Sequence, residues 1–296
     1  MKYKNSLGDH VFNFINISLL LLMTFSFIYP FYYIIIASFS EPLQLFASRG
    51  LLFWPVGYSL QGYKLVINNP SVLTGYRNTI LYVFFGTIIN IVSTAFAAFI
   101  VSRSKVKYTK HIMFFIVFTM FFNGGLIPTY LVIVALGMNN SPLALIIPGA
   151  ISAYNLIILR TAFKAIPPSL EESAMLDGAK PLTILSRILI PVAKPTLAVL
   201  TLFYAVGHWN AWFNAMIFLR ERKYFPLALI LREILILSDT SSIAKLSADV
   251  SQMHQEMYKK LIQYCVIVVA TLPVIFLYPF LQKYFVKGVM IGSIKE

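Results

Sequence analysis

Apolar residues run in long blocks along this chain, and polar or charged residues gather between them. Crossing a bilayer core takes ~20 mostly apolar helical residues, and about six blocks reach that length. They lie near Phe12–Ile36, Asn78–Val101, Ile112–Leu136, Ser141–Leu159, Thr196–Leu219 and Leu261–Leu281. The pattern predicts an all-α, polytopic membrane helix bundle of about six transmembrane helices, a single domain over residues 1–296. The first block follows Lys2 and Lys4 as a signal peptide's would, yet it is too long and lacks a small-residue cleavage site. It reads as a retained anchor.

Composition agrees with the pattern. Of 296 residues 58% are hydrophobic and only 12% charged, whereas a soluble domain carries about 25% charged residues. A disordered chain, a disulfide scaffold and a secreted globule are thereby excluded, and the single Cys265 can form no internal bridge. The net charge of +13 reads as membrane topology before it reads as nucleic-acid binding, because Lys and Arg are held on the cytoplasmic side. With the N-terminus inside and an even number of spans, the C-terminus is inside too. Arg103, Lys105, Lys107 and Lys110 then fall in the cytoplasm, and the uncharged turn Gly137 to Ser141 falls outside. One segment runs against the rule. Arg220, Arg222, Lys223, Arg232, Lys245, Lys259 and Lys260 are all assigned to an outer loop.

The spans carry no Asp or Glu, and His208 is their one histidine. Ion-coupled carriers commonly keep carboxylates at bilayer depth, so coupling to an ion gradient is disfavoured. The chain has no H-E-x-x-H, no G-x-S-x-G, no cysteine-rich metal pattern and no P-loop. It is therefore read as a non-enzyme with no cofactor or metal of its own. If transport is energised, the energy enters through a partner.

Residues 164–195 are too polar to span and read as two short helices parted by a glycine. Ser169 with Glu172 forms a capping box, and Gly178 suits a left-handed stop. Pro181 can open the second helix, Leu182, Leu185, Ile188 and Leu189 give it an apolar stripe, and Pro191 and Pro195 end it. Such a stripe, on a helix too short for a core of its own, calls for a groove on another protein.

Glu172-Ser173-Ala174, three residues, Gly178, nine residues and Ile188-Leu189-Ile190-Pro191 resembles the E-A-A-x₃-G-x₉-I-x-L-P loop of ABC importer permeases. Ser173 and Ile190 depart from it by small changes. The resemblance extends from about residue 78 to about 285. Phe122-Asn123-Gly124-Gly125-Leu126-Ile127-Pro128-Thr129-Tyr130 and Gly207-His208-Trp209-Asn210-Ala211-Trp212-Phe213-Asn214 are similar to the maltose-type subgroup, and within it to permeases of complex or polymeric sugars.

That resemblance implies half of a translocation path in a bacterial plasma membrane, surrounded by lipid and paired with a second, related permease subunit. Two ABC ATPase subunits, holding ATP and Mg, would receive the 164–195 loop as a coupling helix, and an extracytoplasmic solute-binding protein would deliver an oligosaccharide. Glu171, Glu172, Ser173, Ala174, Asp177, Gly178, Ile188 and Pro191 are its coupling residues. Glu172 would meet a base on the ATPase, or only cap its own helix.

Tyr204, His208 and Trp212 share a helical face, with Trp209, Asn210 and Asn214 nearby. Aromatic faces and amides suit a carbohydrate path, while helix packing with an interfacial tryptophan belt is the competing reading. Asn123, Gly124, Gly125 and Pro128 interrupt the third span, as a gate or as a packing kink. The loops Ser38 to Arg77 and 220–260 are read as outer loops. Leu227 to Leu237 forms a surface helix within the second, and a basic tail from Lys283 to Glu296 ends the chain. The rival classes are an ABC permease for a non-sugar solute and a stand-alone carrier or channel.

Overall fold

The computed structural model describes residues 7–48, 50–103, 106–237 and 252–293. The helices are α1 (Leu7–Ser38), α2 (Pro42–Ala47), α3 (Gln61–Ile67), α4 (Pro70–Ser102), α5 (Thr109–Phe121), α6 (Leu126–Ala135), α7 (Leu143–Ile146) and α8 (Ala153–Lys164). They continue as α9 (Pro168–Leu176), α10 (Pro181–Val192, with a π turn at Leu185–Leu189), α11 (Lys194–Trp209), α12 (Trp212–Phe218), α13 (Leu227–Arg232) and α14 (Gln252–Ser293). Among the described residues there is no strand, only an isolated bridge between Ser40 and Tyr58. Where the sequence reads as one domain, the contacts divide the described residues into two compact units. One falls within Met1–Asn69 and Ile234–Thr271, the other within Pro70–Glu233 and Leu272–Glu296.

In the first unit, α1 leaves residues 8–28 exposed, as a lipid-facing anchor would. Beyond it the chain is tied locally. Ser40 Oγ accepts from Val56 N–H (3.1 Å), and Ser38 Oγ lies 2.7 Å from Tyr63 OH. Gly62 lets α3 approach Cys265, whose sulfur would lie 2.5 Å from any Cβ placed there. Cys265 is thus a buried packing residue.

The second unit is built on α4, whose 33 residues begin at Pro70, earlier than the hydropathy pattern indicates. Asn78, Tyr82, Gly86, Asn90, Thr94, Ala98 and Ser102 recur at every fourth position and are all buried. Four residues turn the helix about 40° past a full turn, so this row winds around α4 and meets a different neighbour at each level. Those neighbours are broken helices. Asn78 Nδ2 donates to the carbonyls of Lys223 (2.7 Å) and Phe225 (3.0 Å), Tyr82 OH donates to Tyr224 O (2.7 Å), and Leu227 N–H donates to Thr79 Oγ1 (2.8 Å). Asn90 Nδ2 donates to Gly149 O (2.6 Å) and Ala150 O (3.1 Å), in the gap between α7 and α8. Backbone freed by a break at membrane depth has no water to turn to, and Asn90 supplies partners for it, while Asn78, Thr79 and Tyr82 fix the segment 223–227 to α4.

The breaks account for the differences from the six expected spans. α1, α4 and Glu256–Phe276 of α14 are each long and apolar enough to cross. The third expected span is α5 and α6, bent by 116° across 122–125. The fourth is divided between α7 and α8, and the fifth is interrupted at Asn210 and Ala211. Ala193 marks a further bend of 85° between α10 and α11. Hydropathy averages across such interruptions because each is only a few residues long and lies between strongly apolar segments. The helix expected from Leu227 forms as α13 followed by a π turn, but Leu227, Leu229 and Ile230 are buried, so it is no surface helix. Gly75 of α4 makes room for it: a Cβ there would stand 2.6 Å from Ile230 Cδ1. Residues 238–251, including Lys245, and the side chains of the basic tail lie outside the described residues.

Gly86 is a point of close approach between α4 and α11, since an added Cβ would overlap His208 Nε2. Gly86→Val is expected to destabilise the purified chain by about 1–3 kcal/mol, the usual cost of overpacking. Thermal unfolding in detergent measures it, and combination with His208→Ala should cost less than the two single losses added.

Candidate functional site

The 164–195 loop projects as α9 and α10 on either side of Gly178, whose φ of +79° is the left-handed stop expected of it. Pro181 occupies the first turn of α10 behind Lys180, as the sequence indicates. The start of α9 differs. It is set by Pro167 and Pro168 with no side-chain cap, and Ser169 and Glu172 both lie inside the helix, so there is no capping box. α10 runs through Pro191 to Val192, and Pro195 opens α11 instead of ending α10.

The apolar stripe also faces another way than expected. Leu185 and Leu189 are buried with Ile184 against Ala95, Ala98, Leu159 and Phe163 of the same chain, and Ile188 and Ala174 pack at the edge of that cluster. What α9 and α10 leave exposed is Leu170, Met175, Leu182, Val192 and above all Leu176, which is 89% exposed. The stripe anchors the loop to its own bundle. A separate set of apolar side chains forms the free surface.

The adjacent carboxylates divide in the same way. Glu171 is buried and forms an ion pair with Arg103, the residue just beyond α4, whereas Glu172 is exposed. Consecutive helical residues point about 100° apart, so one turn of α9 places one charge against the chain and the other away from it. Burial lowers the pKa of Arg103, but an arginine remains charged at any ordinary pH. Ser173 Oγ donates back to Ser169 O (2.6 Å), Asp177 ends α9, and Pro191 is exposed.

The residues read as a sugar path separate into two groups. Tyr204 is buried: its OH lies 2.7 Å from Thr94 Oγ1 and accepts from Ser152 N–H (3.1 Å). His208 Nε2 stands 2.7 Å from Asn90 Oδ1. With Asn90 Nδ2 already donating to two carbonyls, its Oδ1 is the acceptor, and the imidazole carries its proton on Nε2. These two side chains tie α11 to α4, the helix-packing arrangement. Trp209 packs edge-on to Tyr76 (6.2 Å). Trp212 is 38% exposed beneath the Arg232 guanidinium (5.0 Å), and Asn210 and Asn214 are exposed.

Asn123, Gly124 and Gly125 form the exposed elbow between α5 and α6. Gly125 has a φ of +85°, and its N–H donates to Asn123 Oδ1 (2.9 Å). The elbow therefore stays outside the packed core. Among the described residues no three His, Cys, Asp or Glu side chains gather as a metal site.

The basic residues that run against the charge rule are partly neutralised. Lys223 pairs with Glu221 (2.5 Å) and Arg222 with Glu233 (3.2 Å). The hydrogen bond from Lys223, then that from Asn140, holds the Glu221 carboxyl below its ordinary pKa. Reading the sequence missed Arg103 as the partner of Glu171 and missed the α4 polar row. The row had a signal in its four-residue spacing. The ion pair had none, since its members stand 68 positions apart.

Similarity to known proteins extends over nearly the whole chain. Protein LplC of Bacillus subtilis (strain 168) is 38% identical over 291 residues, covering 98% of this chain and 97% of that protein. The polygalacturonan/rhamnogalacturonan transport system permease protein YtcP of the same organism is 36% identical, over 97% of this chain and 99% of its own. A chain in the crystal structure of a bacterial ABC transporter involved in the import of the acidic polysaccharide alginate is 33% identical. It superposes with a TM-score of 0.87 over 95% of this chain and 99% of that one. Residues 70–291, the part that begins at α4 and includes the projecting loop, match the family described as binding-protein-dependent transport system inner membrane component, and the chain belongs to that family.

Proposed function

We propose that this chain forms half of the translocation path of an ATP-driven oligosaccharide importer and receives its driving force through α9 and α10. The observation that carries the reading is the two-sided loop, locked to the bundle by Glu171, Leu185 and Leu189 and bare at Glu172, Leu176 and Leu182. A handle of this kind transmits force because its inner face cannot slip while its outer face is free to be gripped. Two ABC ATPase subunits, carrying ATP and Mg, would close on it and on the equivalent loop of a second permease subunit. A bistable bundle would then turn outward to meet a solute-binding protein.

For orientation, the Arg103 to Glu171 pair and the bond from Arg160 Nε to Val101 O (3.0 Å) join the handle to the Ser102 end of α4, and the basic residues at that end favour the cytoplasmic side. Six crossings of a bacterial plasma membrane would place both termini on that side too.

For cargo, two of the similar proteins point the same way. One relative is named for polygalacturonan/rhamnogalacturonan transport, and the similar crystal structure is of a transporter involved in importing the acidic polysaccharide alginate, so an acidic oligosaccharide is favoured here. The exposed Trp212, Asn210, Asn214 and the 123–125 elbow are the residues of this chain free to line or gate its route. Uptake by the reconstituted complex, with uronic-acid and neutral oligosaccharides compared, tests the assignment. Gradient-driven uptake by the isolated chain would establish a stand-alone carrier in its place.

Three outcomes follow from the handle. Glu172→Arg should abolish ATP-driven uptake while leaving insertion intact, with an acidic substitution on the ATPase restoring part of it. Leu176→Asp should lower uptake at least ten-fold without changing thermal stability, because the side chain makes no packing contact to lose. Glu171→Gln should act within the chain, leaving Arg103 without its counter-charge at a cost of roughly 3 kcal/mol. Hydrogen exchange across residues 168–192 should accelerate in that variant and remain unchanged in Leu176→Asp.

A further inference from the structure

At the Ser102 end of α4, where α5 begins and α8 ends, the structure holds a cavity of about 420 Å³ that the transport reading does not use. Arg103, Lys110, His111, Arg160 and Lys164 line it, and no Asp or Glu does. Concentrated like charge is unfavourable unless an anion relieves it. Arg103 is already committed, its Nη1 paired with Glu171 and its Nε and Nη2 shut away from solvent, with the guanidinium over the Phe99 ring (5.1 Å). Arg160 is held in the wall by its bond to Val101 O, and with Lys110 and Lys164 it leaves the positive charge of the cavity open to an anion.

We propose that this cavity binds the phosphodiester headgroup of an anionic phospholipid. Phosphate oxygens match the fork of a guanidinium, and free phosphate shares that chemistry. Two features favour the lipid. The cavity lies at the Ser102 end of α4 and the Thr109 end of α5, both parts of candidate membrane spans, and the ends of spans meet the headgroups. The neighbouring α5 buries none of its residues, and Phe114, Phe115 and Phe118 give acyl chains an apolar wall. Basic pockets at the cytoplasmic ends of membrane helices are suited to acidic headgroups. Because Arg103 also holds Glu171, a bound headgroup would stiffen the root of the handle.

The complete complex, reconstituted in phosphatidylcholine nanodiscs doped with labelled phosphatidylglycerol, tests this by measuring lipid retained on the protein. Enrichment of phosphatidylglycerol is expected. Loss of two cations in Arg160→Gln/Lys164→Gln should weaken it about thirty-fold, and Lys110→Gln, at an exposed position and so without risk to folding, about five-fold. Lys223→Gln, at the Asn78 end of α4, should leave retention unchanged, and inorganic phosphate at matched concentration should not displace the lipid. The proposal is overturned by equal enrichment in parent and cavity variants. It is equally overturned by phosphate competing as well as lipid, or by a parent that enriches no phosphatidylglycerol because a partner's acidic side chain fills the cavity. None of these readings depends on sugar uptake, so failure here and failure of the transport assignment are distinguishable.

Discussion

A helix that breaks within a membrane must find partners for the backbone it releases, and the second unit of this chain is arranged around that requirement. Each unmet group would cost several kcal/mol in hydrocarbon. The chain meets the demand with one unbroken helix. Along α4, Asn78, Thr79 and Tyr82 hold the backbone of residues 223–227, Asn90 holds the carbonyls of Gly149 and Ala150, and Thr94 engages the tyrosine that receives Ser152 N–H. Short broken segments that would be unstable alone become parts of one body. Where the row needs close approach in place of a bond it carries Gly86 and Ala98.

This arrangement also decides where force can enter. At Ala193 and at 122–125 the main chain bends sharply, by 85° and 116°. The first adjoins a cluster that fixes α10 to α4 and α8 through Leu185 and Leu189. The second is an exposed elbow with no core around it. On the proposed reading, a displacement of α9 and α10 would be carried into α4 and α8, while the α5 to α6 elbow lies outside that packing. Stiffness near the handle and looseness at the elbow suit a bundle that switches between two packings.

Much of this was legible in the sequence because the signals were local. Span length announced α1, α4 and α14, and the proline and glycine positions announced the two helices of the handle and its left-handed stop at Gly178. What was not legible depended on direction. A 3.6-residue stripe on α10 shows that one face is apolar without showing whether the rest of the chain or another protein covers it, and here the chain covers Leu185 and Leu189 itself. Tyr204, His208 and Trp212 share a face in sequence, yet the first two are turned to α4 and the third lies beyond a break that changes the helix direction. Hydropathy was blind to that break because Asn210 is a single polar residue between two apolar helical segments.

The pair Glu171 and Glu172 shows how little sequence separates a buried, paired carboxylate from an exposed one. Exchanging their roles would need only a rotation of α9 by one residue. What prevents it is that Arg103 is fixed at the end of α4 with two further guanidinium N–H groups buried around the bond. A buried cation that loses its counter-charge is penalised far more than an exposed one. The register of α9 is thus set from inside the chain, by the residue that follows α4. Glu172, Leu176 and Leu182 are presented outward as a consequence. The free surface of the handle is specified by what its opposite surface is compelled to bind.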